Sequence, residues 1–191
     1  QTIKSVQMHL MQNFQQNTTL EQLGAQVLDA DKIYAELLQT ENPMTGMLNH
    51  RFPGVWKDGV LDRKKLADIV FSDEQARLDL NFITHSQVKA EMHYRTVHSD
   101  SKLIVLDVPL LFESGIDRLC DLTLAVLADR EGSLLRIMKR DGIDRARAAA
   151  RLNSQPDDAF YRARADLLLH NRGSLAEFEA NIDAFTEKYC K

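Results

Sequence analysis

The feature that most constrains the fold is a short apolar run that ends in an acid. Residues Leu103–Leu106 read LIVL, Asp107 follows, and Pro109 comes shortly after it. An unbroken apolar run of this length is typical of a strand buried on both faces in a parallel sheet. Pro109 has no backbone N–H for a sheet ladder, so it ends the strand. We therefore predict a buried parallel strand followed by a loop over Pro109–Gly115.

Two roles fit the acid at the end of this strand. Open α/β sheets bind their ligands at the carboxyl ends of their strands, which makes Asp107 a candidate ligand-binding carboxylate. An aspartate in this place also caps the turn that follows, without any part in binding. The stretch by itself does not separate the two roles.

A second pair of acids follows another strand candidate. Ala25–Leu28 is predicted as a short strand after a turn at Gly24, and Asp29 and Asp31 come directly after it. Strand periodicity puts Asp29 and Asp31 on one face, close enough to share a cation or divide acid–base work. The alternative is that one of them caps a helix over 32–39. Both interpretations hold together, because a cap needs only one carboxylate.

The sequence between these strand candidates predicts helices. Asp58-Gly59 is a strong turn signal, and a helix with Asp62 near its start follows it. Ser72 or Asp73 then caps a long helix that runs to about Val97. The apolar residues available to pack from this long helix are Leu78, Phe82, Ile83, Val88 and Met92.

Three histidines lie along the long helix, namely His85, His93 and His98. A pair of helical metal ligands needs to share one face, and these spacings do not provide that. We therefore predict no metal site here, and surface or locally bonded histidines are the more common case.

The second half of the chain predicts two more strands separated by a basic helical region. Leu122–Leu127 and Asp166–His170 are the strand candidates, and a helix begins near Arg130. Asp141-Gly142 interrupts the helix between two clusters of basic residues. These residues are Arg136, Lys139, Arg140, Arg145, Arg147 and Arg151.

Two interpretations fit this concentration of arginine. Arginines that fold over a triphosphate would serve phosphoryl transfer. A solvated helix with ion pairs four residues apart explains the same composition, and composition alone favours it. After the last strand, Asn171-Arg172-Gly173 forms an exit turn, and Ser174 caps a terminal amphipathic helix. That helix carries Leu175, Phe178, Ile182 and Phe185.

The polar segment Gln1–Gln22 fits two templates. Val6, Met8 and Leu10 alternate as in a strand. The helical template fits more positions, so a helix is predicted. The positions near helical spacing are Ile3, Val6 or Gln7, Leu10, Met11 and Phe14.

Composition excludes several classes of protein. The chain has 191 residues, 44% of them hydrophobic, enough for one well-filled core and a subdomain. Its net charge of −4 argues against a general nucleic-acid or membrane-surface binder. No apolar run is long enough for a membrane span or a signal peptide. Cys120 and Cys190 have no metal-ligand spacing and are interpreted as thiols in a reducing cytoplasm.

The order strand, helices, strand, strand, helix, strand, helix predicts an α/β fold with a mainly parallel sheet. Helices flank the sheet, and a helical insert separates the first two strand candidates. From about Leu23 to the C-terminus, this order carries six segments that resemble the dephospho-CoA kinase family of the P-loop nucleotide-kinase superfamily. The segments are LGAQVLDAD (Leu23–Asp31), DGVLDRKKLADIVFSD (Asp58–Asp73), LDVPLLFE (Leu106–Glu113), RIMKRDG (Arg136–Gly142), RLNSQ (Arg151–Gln155) and ADLLLHNRGS (Ala165–Ser174).

The resemblance implies a reaction and its participants. ATP, with Mg²⁺, phosphorylates the ribose 3′-hydroxyl of dephospho-CoA to give CoA and ADP, the last step of CoA biosynthesis. It implies two small-molecule substrates, no nucleic-acid or membrane partner, and a cytoplasmic enzyme; the oligomeric state is not indicated. It also implies a division of the chain: a divergent N-terminal segment over 1–22 and a kinase-like core over 23–191. Within the core, 58–99 matches the helical acceptor-binding insert and 136–164 the lid region.

The resemblance further implies roles for individual residues. Asp31 corresponds to the general base at the ribose hydroxyl, with Asp29 beside it. Arg140 and Arg151 correspond to the lid arginines over the ATP phosphates, Arg140 also counting as catalytic. Asn171 and Gly173 lie by the adenine in the family. The residues implied at the acceptor are Asp107, Pro109, Leu110, Leu111, Glu113 and His85, although Ser86 stands where the family commonly has proline.

The chain departs from the family at its amino end. The family begins with a strand and a GxxxxGK[ST] loop that holds the phosphates. This sequence has no glycine before Gly24, and counting back from Asp29 puts Asn13-Phe14 at the lysine and serine positions. The family's first strand lies inside the sheet, so its loss would leave unpaired backbone groups. Either Gln1–Gln16 fills the gap or part of the natural N-terminus is missing.

Three functions therefore compete. The leading one is a dephospho-CoA kinase. The second is a catalytically impaired relative without the P-loop that only binds CoA or a nucleotide. The third is another small-molecule kinase of the superfamily, which the DGVLDRKKL and PLLFE segments disfavour because they belong to the acceptor site.

Overall fold

The computed structural model describes residues 5–9, 25–57, 59–171 and 175–189. Five strands form one sheet in the order β2-β5-β1-β6-β7. Their bounds are Ser5–His9 (β1), Gln26–Asp29 (β2), Ile104–Asp107 (β5), Leu122–Ala128 (β6) and Leu167–Asn171 (β7). The pairs β1–β5, β1–β6 and β6–β7 are parallel. This confirms the predicted α/β fold with a mainly parallel sheet.

The N-terminal strand β1 lies in the middle of the sheet. Ser5 is in register with Ile104 of β5 on one side, and Val6 is in register with Leu122 of β6 on the other. The predicted helix is therefore wrong over Ser5–His9, and the strand alternation was the correct template there. Two flanking strands offer partners for the backbone N–H and C=O groups, and this non-local pairing outweighs a weak helical periodicity.

The central position of β1 shows which part of the chain occupies the middle of the sheet. Ser5–His9 belongs to the segment Gln1–Gln16, so part of that segment fills the place of the family's first strand. The rest of the predicted N-terminal helix, including Asn13-Phe14, lies outside the described residues.

The other four strands of the sheet confirm the predicted ones, with ends shifted by one residue at most. A short antiparallel hairpin pairs Trp56–Lys57 (β3) with Val60–Leu61 (β4), and each strand has two residues. The sequence predicted only a turn here. Gly59 has a φ of 77°, a left-handed conformation that glycine adopts without a steric penalty.

The helices follow the predicted order. They are Ala30–Leu37 (α1), Pro43–Arg51 (α2), Arg63–Ser72 (α3), Glu74–Val97 (α4), Leu111–Ser114 (α5), Arg130–Asp141 (α6), Arg145–Asn153 (α7), Asp158–Arg162 (α8) and Leu175–Tyr189 (α9), with a 3-10 turn at Ile116–Leu119. Asp62, predicted near the start of a helix, is the N-cap of α3, and of the two predicted candidates Ser72 and Asp73 it is Asp73 that caps α4. The loop predicted over Pro109–Gly115 instead contains the short helix α5, which ends on Gly115 at a φ of 68°.

In the described ranges, no helix is long and apolar enough to cross a membrane.

The described chain forms two compact units. The first contains the residues up to Val27 and from Ser101 onward, and the second is Leu28–Asp100. The predicted insert 58–99 falls inside the second unit and the predicted lid 136–164 inside the first. The exact subdivision of the core into these functional parts stays a prediction.

Each unit has its own apolar core. In the first unit, residues of the sheet pack with Ile182 and Phe185 of the terminal helix, as the amphipathic pattern predicted. The second unit is built around Met44, Leu48 and Phe52, all of them 1% exposed or less. Ile83, Val88 and Met92 of α4 are buried as predicted, whereas Leu78 and Phe82 are exposed and do not pack into this core.

Candidate functional site

The two acids Asp29 and Asp31 lie at a strand-to-helix junction. Asp29 is the last residue of β2 and the N-cap of α1. Its Oδ1 accepts the backbone N–H of Asp31 at 2.9 Å and that of Lys32 at 3.1 Å. The chain turns into a helix at Ala30, so the strand periodicity used to predict a shared face does not extend to Asp31, although the charge of Asp29 does act on Asp31. The capping alternative is confirmed for Asp29.

The carboxylate of Asp31 is open to a ligand. It lies in the first turn of α1 and makes no hydrogen bond or ion pair with the described residues. The residue as a whole is exposed, although neighbouring protein atoms exclude part of the water from its carboxyl group. Partial burial of the carboxyl group, and after it the negative charge of Asp29, raise the pKa of Asp31 above its usual range. A carboxylate with a raised pKa and no partner has the properties of a proton acceptor.

The helix that carries Asp31 is fixed within the second unit. Ile33 of α1 is 1% exposed, and Glu36 accepts a hydrogen bond from Arg95 of α4 at 2.8 Å. Arg95 also donates to Glu91 on its own helix at 2.8 Å. Asp31 is therefore held on a helix with both an apolar and an ionic attachment.

His85 lies in the middle of α4. It is half-buried, and burial lowers the pKa of its imidazole, which is therefore neutral near pH 7. Ser86, which stands where the family commonly has proline, donates its hydroxyl to the carbonyl of Ile83 at 3.0 Å. The helix runs through this position from Glu74 to Val97 without a break.

The second unit also has a cavity of about 310 Å³ that the sequence motifs did not identify. Arg63 contributes its only cationic side chain, and this guanidinium makes no ion pair with the described residues. One lining residue could have been singled out from the sequence, because Arg63 belongs to the DGVLDRKKL segment. The other lining residues are Ala35, Leu38, Gln39, Gly59, Val60 and Leu61.

In the first unit, the predicted acceptor residues lie after strand β5. Asp107 ends the strand and is half-buried, whereas Pro109 and Glu113 are exposed. Leu110 is 45% exposed, but Leu111 is only 1% exposed. The side chain of Leu111 is therefore part of the interior, and Leu110 is the leucine that presents apolar surface.

An aromatic cluster joins this segment to helix α8. The ring of Phe112 lies 6.1 Å from that of Phe160 and 6.3 Å from that of Tyr161. Burial raises the pKa of Tyr161 to about 12, and the charge of Glu113 contributes to the shift. The acceptor-loop residues and the end of the predicted lid thus belong to one packed group.

The predicted ATP-binding arginines converge on a single carboxylate. Arg140 donates Nε and Nη2 to the two oxygens of Asp141 at 2.6 and 2.9 Å, and Arg151 donates Nη1 to Oδ2 of the same carboxylate. The hydrogen bond from Arg140 is the main cause that lowers the pKa of Asp141 to about 2. The structure therefore brings Arg140 and Arg151 together.

Other arginines of this region form separate pairs. Arg145 makes a bidentate pair with Glu131 at 2.7 and 2.6 Å, and Arg162 lies 3.9 Å from Asp158. Of these two ion pairs, Arg162–Asp158 has the four-residue spacing that is expected within a solvated helix, and Arg145–Glu131 does not. The ion pairs of Arg140 and Arg151 are of a different kind, because they join two helices through one acid.

The remaining predicted residues are placed as follows. Asn171 is the last residue of β7, in register with Ala128 of β6. Gly173 lies outside the described residues. Within the described part of the chain, no group of three or more acidic, histidine or cysteine side chains has the arrangement of a metal site.

The mainly parallel sheet with flanking helices is that of an α/β protein of the P-loop nucleotide-kinase type. The sequence profile of the family described as dephospho-CoA kinase matches residues 15–177. The chain therefore belongs to the dephospho-CoA kinase family, whose reaction is the ATP-dependent phosphorylation of dephospho-CoA in the last step of CoA biosynthesis.

Individual relatives agree with this assignment. A dephospho-CoA kinase of Bacillus licheniformis is 35% identical, and the match covers 85% of this chain and 83% of the relative. One from Syntrophotalea carbinolica is 38% identical over 85% of this chain and 79% of the relative. Among solved structures, a dephospho-CoA kinase from Campylobacter jejuni has a TM-score of 0.70 at 27% identity, with 97% of each chain covered. A Thermus thermophilus protein has a TM-score of 0.76 at 29% identity, over 96% of this chain and 95% of its own.

Proposed function

We propose that this chain transfers the γ-phosphoryl group of ATP to the ribose 3′-hydroxyl of dephospho-CoA, with Asp31 as the general base. The observation that supports this role most strongly is the open carboxylate of Asp31, whose pKa is raised by its surroundings. A general base works best when its pKa approaches the working pH, and it must have a lone pair free for the proton. Asp31 has both properties, whereas Asp29 uses its carboxylate to cap the helix.

Asp29 then has a supporting role. Its cap fixes the backbone of the first turn of α1, and its negative charge adds to the raised pKa of Asp31. The base is thereby held at the start of a rigid helix rather than on a loop. Rigid placement matters in phosphoryl transfer because positioning supplies much of the rate acceleration.

Arg140 and Arg151 are assigned to the phosphates of ATP. Phosphoryl transfer moves negative charge between oxygens, and guanidinium groups stabilise that charge with directed hydrogen bonds. Asn171 at the end of β7 and Gly173 beyond it are assigned to the adenine. These roles are transferred from the family onto matching residues.

Acceptor-binding roles are assigned from the family to residues of each unit, taken separately. In the first unit, Asp107, Pro109, Leu110 and Glu113 present surface to a ligand, and Leu111 anchors the same segment from the interior. In the second unit, His85 is assigned to the acceptor as a neutral imidazole, because its pKa is lowered. A neutral imidazole both donates and accepts hydrogen bonds, which suits a polar substrate without adding charge.

The described residues are compatible with Mg²⁺ that enters with ATP. Magnesium is commonly held by one or two carboxylates together with substrate phosphates, and it needs no complete set of protein ligands. Asp31 has no hydrogen-bond or ion-pair partner for its carboxylate among the described residues, and the second oxygen of Asp29 lies 3.9 Å from the ammonium group of Lys32. When bound, the ion would neutralise charge on the phosphates. A cytoplasmic location is part of the same proposal, since ATP is the phosphoryl donor.

One observation favours the second candidate function, a relative that binds its ligands without turnover. The sequence contains no GxxxxGK[ST] motif, which in this superfamily supplies backbone N–H groups and a lysine to the phosphates. Without an equivalent, ATP would be held mainly by the lid arginines. Ligand binding would then survive while catalysis is lost.

The deciding experiment measures ADP formation from ATP and Mg²⁺ with and without dephospho-CoA. We expect acceptor-dependent turnover in the wild type and a loss of about 10²- to 10⁴-fold in Asp31→Asn, the usual contribution of a general base. Asp68→Asn is the matched control, because Asp68 is an exposed acid of the same unit with no hydrogen bond or ion pair from its side chain to the described residues.

Calorimetry with dephospho-CoA separates the remaining outcomes. Binding without ADP formation in the wild type would establish the non-catalytic relative. Absence of both binding and turnover would contradict both candidate functions.

A further inference from the structure

Two arginines and one aspartate form a compact ionic group at the end of helix α6, which we call the Asp141 clamp (Arg140, Asp141, Arg151). The Asp141 side chain is 18% exposed, whereas those of Arg140 and Arg151 are 45% and 55% exposed. The acid is thus largely covered and the two guanidiniums face outward. This arrangement is expected of a carboxylate that fixes two arginine side chains while much of each arginine stays accessible to solvent.

The backbone explains how Asp141 reaches both the adjacent Arg140 and Arg151, which is ten residues further along the chain. Asp141 is the last residue of α6, and Gly142 ends the helix with a φ of 62°. A glycine in this left-handed conformation reverses the chain, and α7 begins shortly afterwards at Arg145. Arg151 on α7 then donates to the acid beside Arg140.

The hydrogen bonds of the clamp leave donors available. A guanidinium has five N–H donors. Arg140 gives Asp141 its Nε hydrogen and one Nη2 hydrogen, and Arg151 gives one Nη1 hydrogen. The remaining N–H groups of both arginines are not used on Asp141. Two cations placed side by side would repel each other, and the shared carboxylate offsets this repulsion.

The other arginine pairs of the same helices lack this arrangement. Arg145 pairs with Glu131, and Arg147 lies 3.6 Å from Asp144, so each of these acids serves one arginine. Among the described residues of α6 and α7, Asp141 is the acid that accepts from two. The clamp is therefore distinct from ordinary surface ion pairing, which contributes little.

We infer that Asp141 is a positioning residue that holds Arg140 and Arg151 together before nucleotide binds, so that both guanidiniums meet the ATP phosphates already ordered. The inference rests on the proposed role of the two arginines in binding ATP. Ordering a long side chain costs free energy on binding, and an arginine that is already held avoids part of that cost. Asp141 itself does not touch the substrate.

The test compares Asp141→Asn with the matched control Asp144→Asn. Both replace an acid of the same connection with its neutral isostere, and asparagine retains the cap that Asp144 provides to α7. We expect Asp141→Asn to raise the KM for ATP and the calorimetric Kd for ATP about tenfold, with the KM for dephospho-CoA unchanged. The control should leave all three values unchanged, and Asp141→Glu should restore part of the loss.

A second measurement is independent of catalysis. Nitrogen-15 NMR of arginine Nε–Hε groups in the ligand-free protein should show a slowly exchanging signal from Arg140 that is lost in Asp141→Asn and kept in Asp144→Asn. If the wild type fails to turn over, the proposed function fails, but this signal still tests the clamp.

Two results would overturn the inference. One is an unchanged affinity for ATP in Asp141→Asn together with an unchanged Nε signal from Arg140. The other is tighter binding of ATP in that variant, which would mean that Asp141 withholds the arginines from the phosphates.

Discussion

Asp31 and Asp29 are adjacent acids with different surroundings, and the difference is testable at single-residue scale. We predict that Asp29→Asn lowers the pKa of Asp31 without returning it to its ordinary value. The charge of Asp29 is the smaller of the two causes, and the larger cause, partial burial, remains. Asparagine also caps helices well, so the helix start is retained.

Carbonyl carbon-13 NMR across an acid titration measures this shift directly. Glu36→Gln is the control, since it removes an acid from the same helix that is paired with Arg95. Because the pKa of Asp31 is raised, its proton stabilises the fold below the ordinary pKa, and that contribution is lost as the pH rises through the folded value. An unchanged or higher pKa of Asp31 in Asp29→Asn would contradict the explanation.

At the scale of elements, strands β6 and β7 are joined at their starts by a reciprocal pair. Thr123 donates its backbone N–H and its hydroxyl to Asp166 Oδ2 at 2.8 and 2.6 Å, and the Asp166 N–H donates to the Thr123 hydroxyl at 3.0 Å. Thr123 is 6% exposed. We predict that Thr123→Val destabilises the protein by about 1–3 kcal/mol, because the hydroxyl bond to the Asp166 carboxylate and the bond from the Asp166 N–H are lost at a buried position, while the Thr123 backbone N–H bond remains.

Chemical denaturation measures that loss of stability. Thr96→Val is the control, since among the described residues the Thr96 hydroxyl bonds to the Met92 carbonyl of its own helix, at 2.8 Å, and to no other group. A free energy of unfolding equal to that of wild type in Thr123→Val would show that the Asp166 contact contributes nothing net.

Elements were predictable where the signal is local. The apolar run Leu103–Leu106 predicted its strand to within one residue at each end, and the acids Asp62 and Asp73 lie where helices start. Burial on both faces and side-chain capping both act within a few residues. β1 was mistaken for a helix because its identity comes from β5 and β6, which lie about a hundred residues further along the chain. No local periodicity reports such pairing.

At the scale of the whole molecule, the sequence predicted the α/β fold but not its division into two cores. The unit boundaries at Val27 and Ser101 have no linker composition to mark them. The Asp141 clamp was equally hidden, since a spacing of ten residues between Asp141 and Arg151 becomes a contact only after Gly142 reverses the chain. The motifs supply candidate site residues, which stay predictions, whereas contacts that depend on tertiary folding were not predicted.

The two cores lead to a prediction about how the molecule loses structure. Phe52 is 1% exposed within the second core and Ile182 is 1% exposed within the first. Removing a buried phenylalanine costs about 3–5 kcal/mol and a buried isoleucine about 2–5 kcal/mol, because a cavity remains. If each core stabilises its own unit, Phe52→Ala should accelerate amide hydrogen exchange mainly in α2 and α4. Ile182→Ala should accelerate it mainly in β5, β6 and α9.

Hydrogen exchange resolved by mass spectrometry distinguishes two separately stabilised units from a single structure that unfolds cooperatively. Exposed positions of the same elements supply the controls, namely Leu78→Ala in α4 at 51% exposure and Ala184→Gly in α9. If both core variants accelerate exchange equally in all these elements, the two cores unfold together and the division is only geometric. Unequal patterns would show that the unit carrying Asp31 and the unit carrying the Asp141 clamp have separate stabilities. Substitutions could then weaken one without the other.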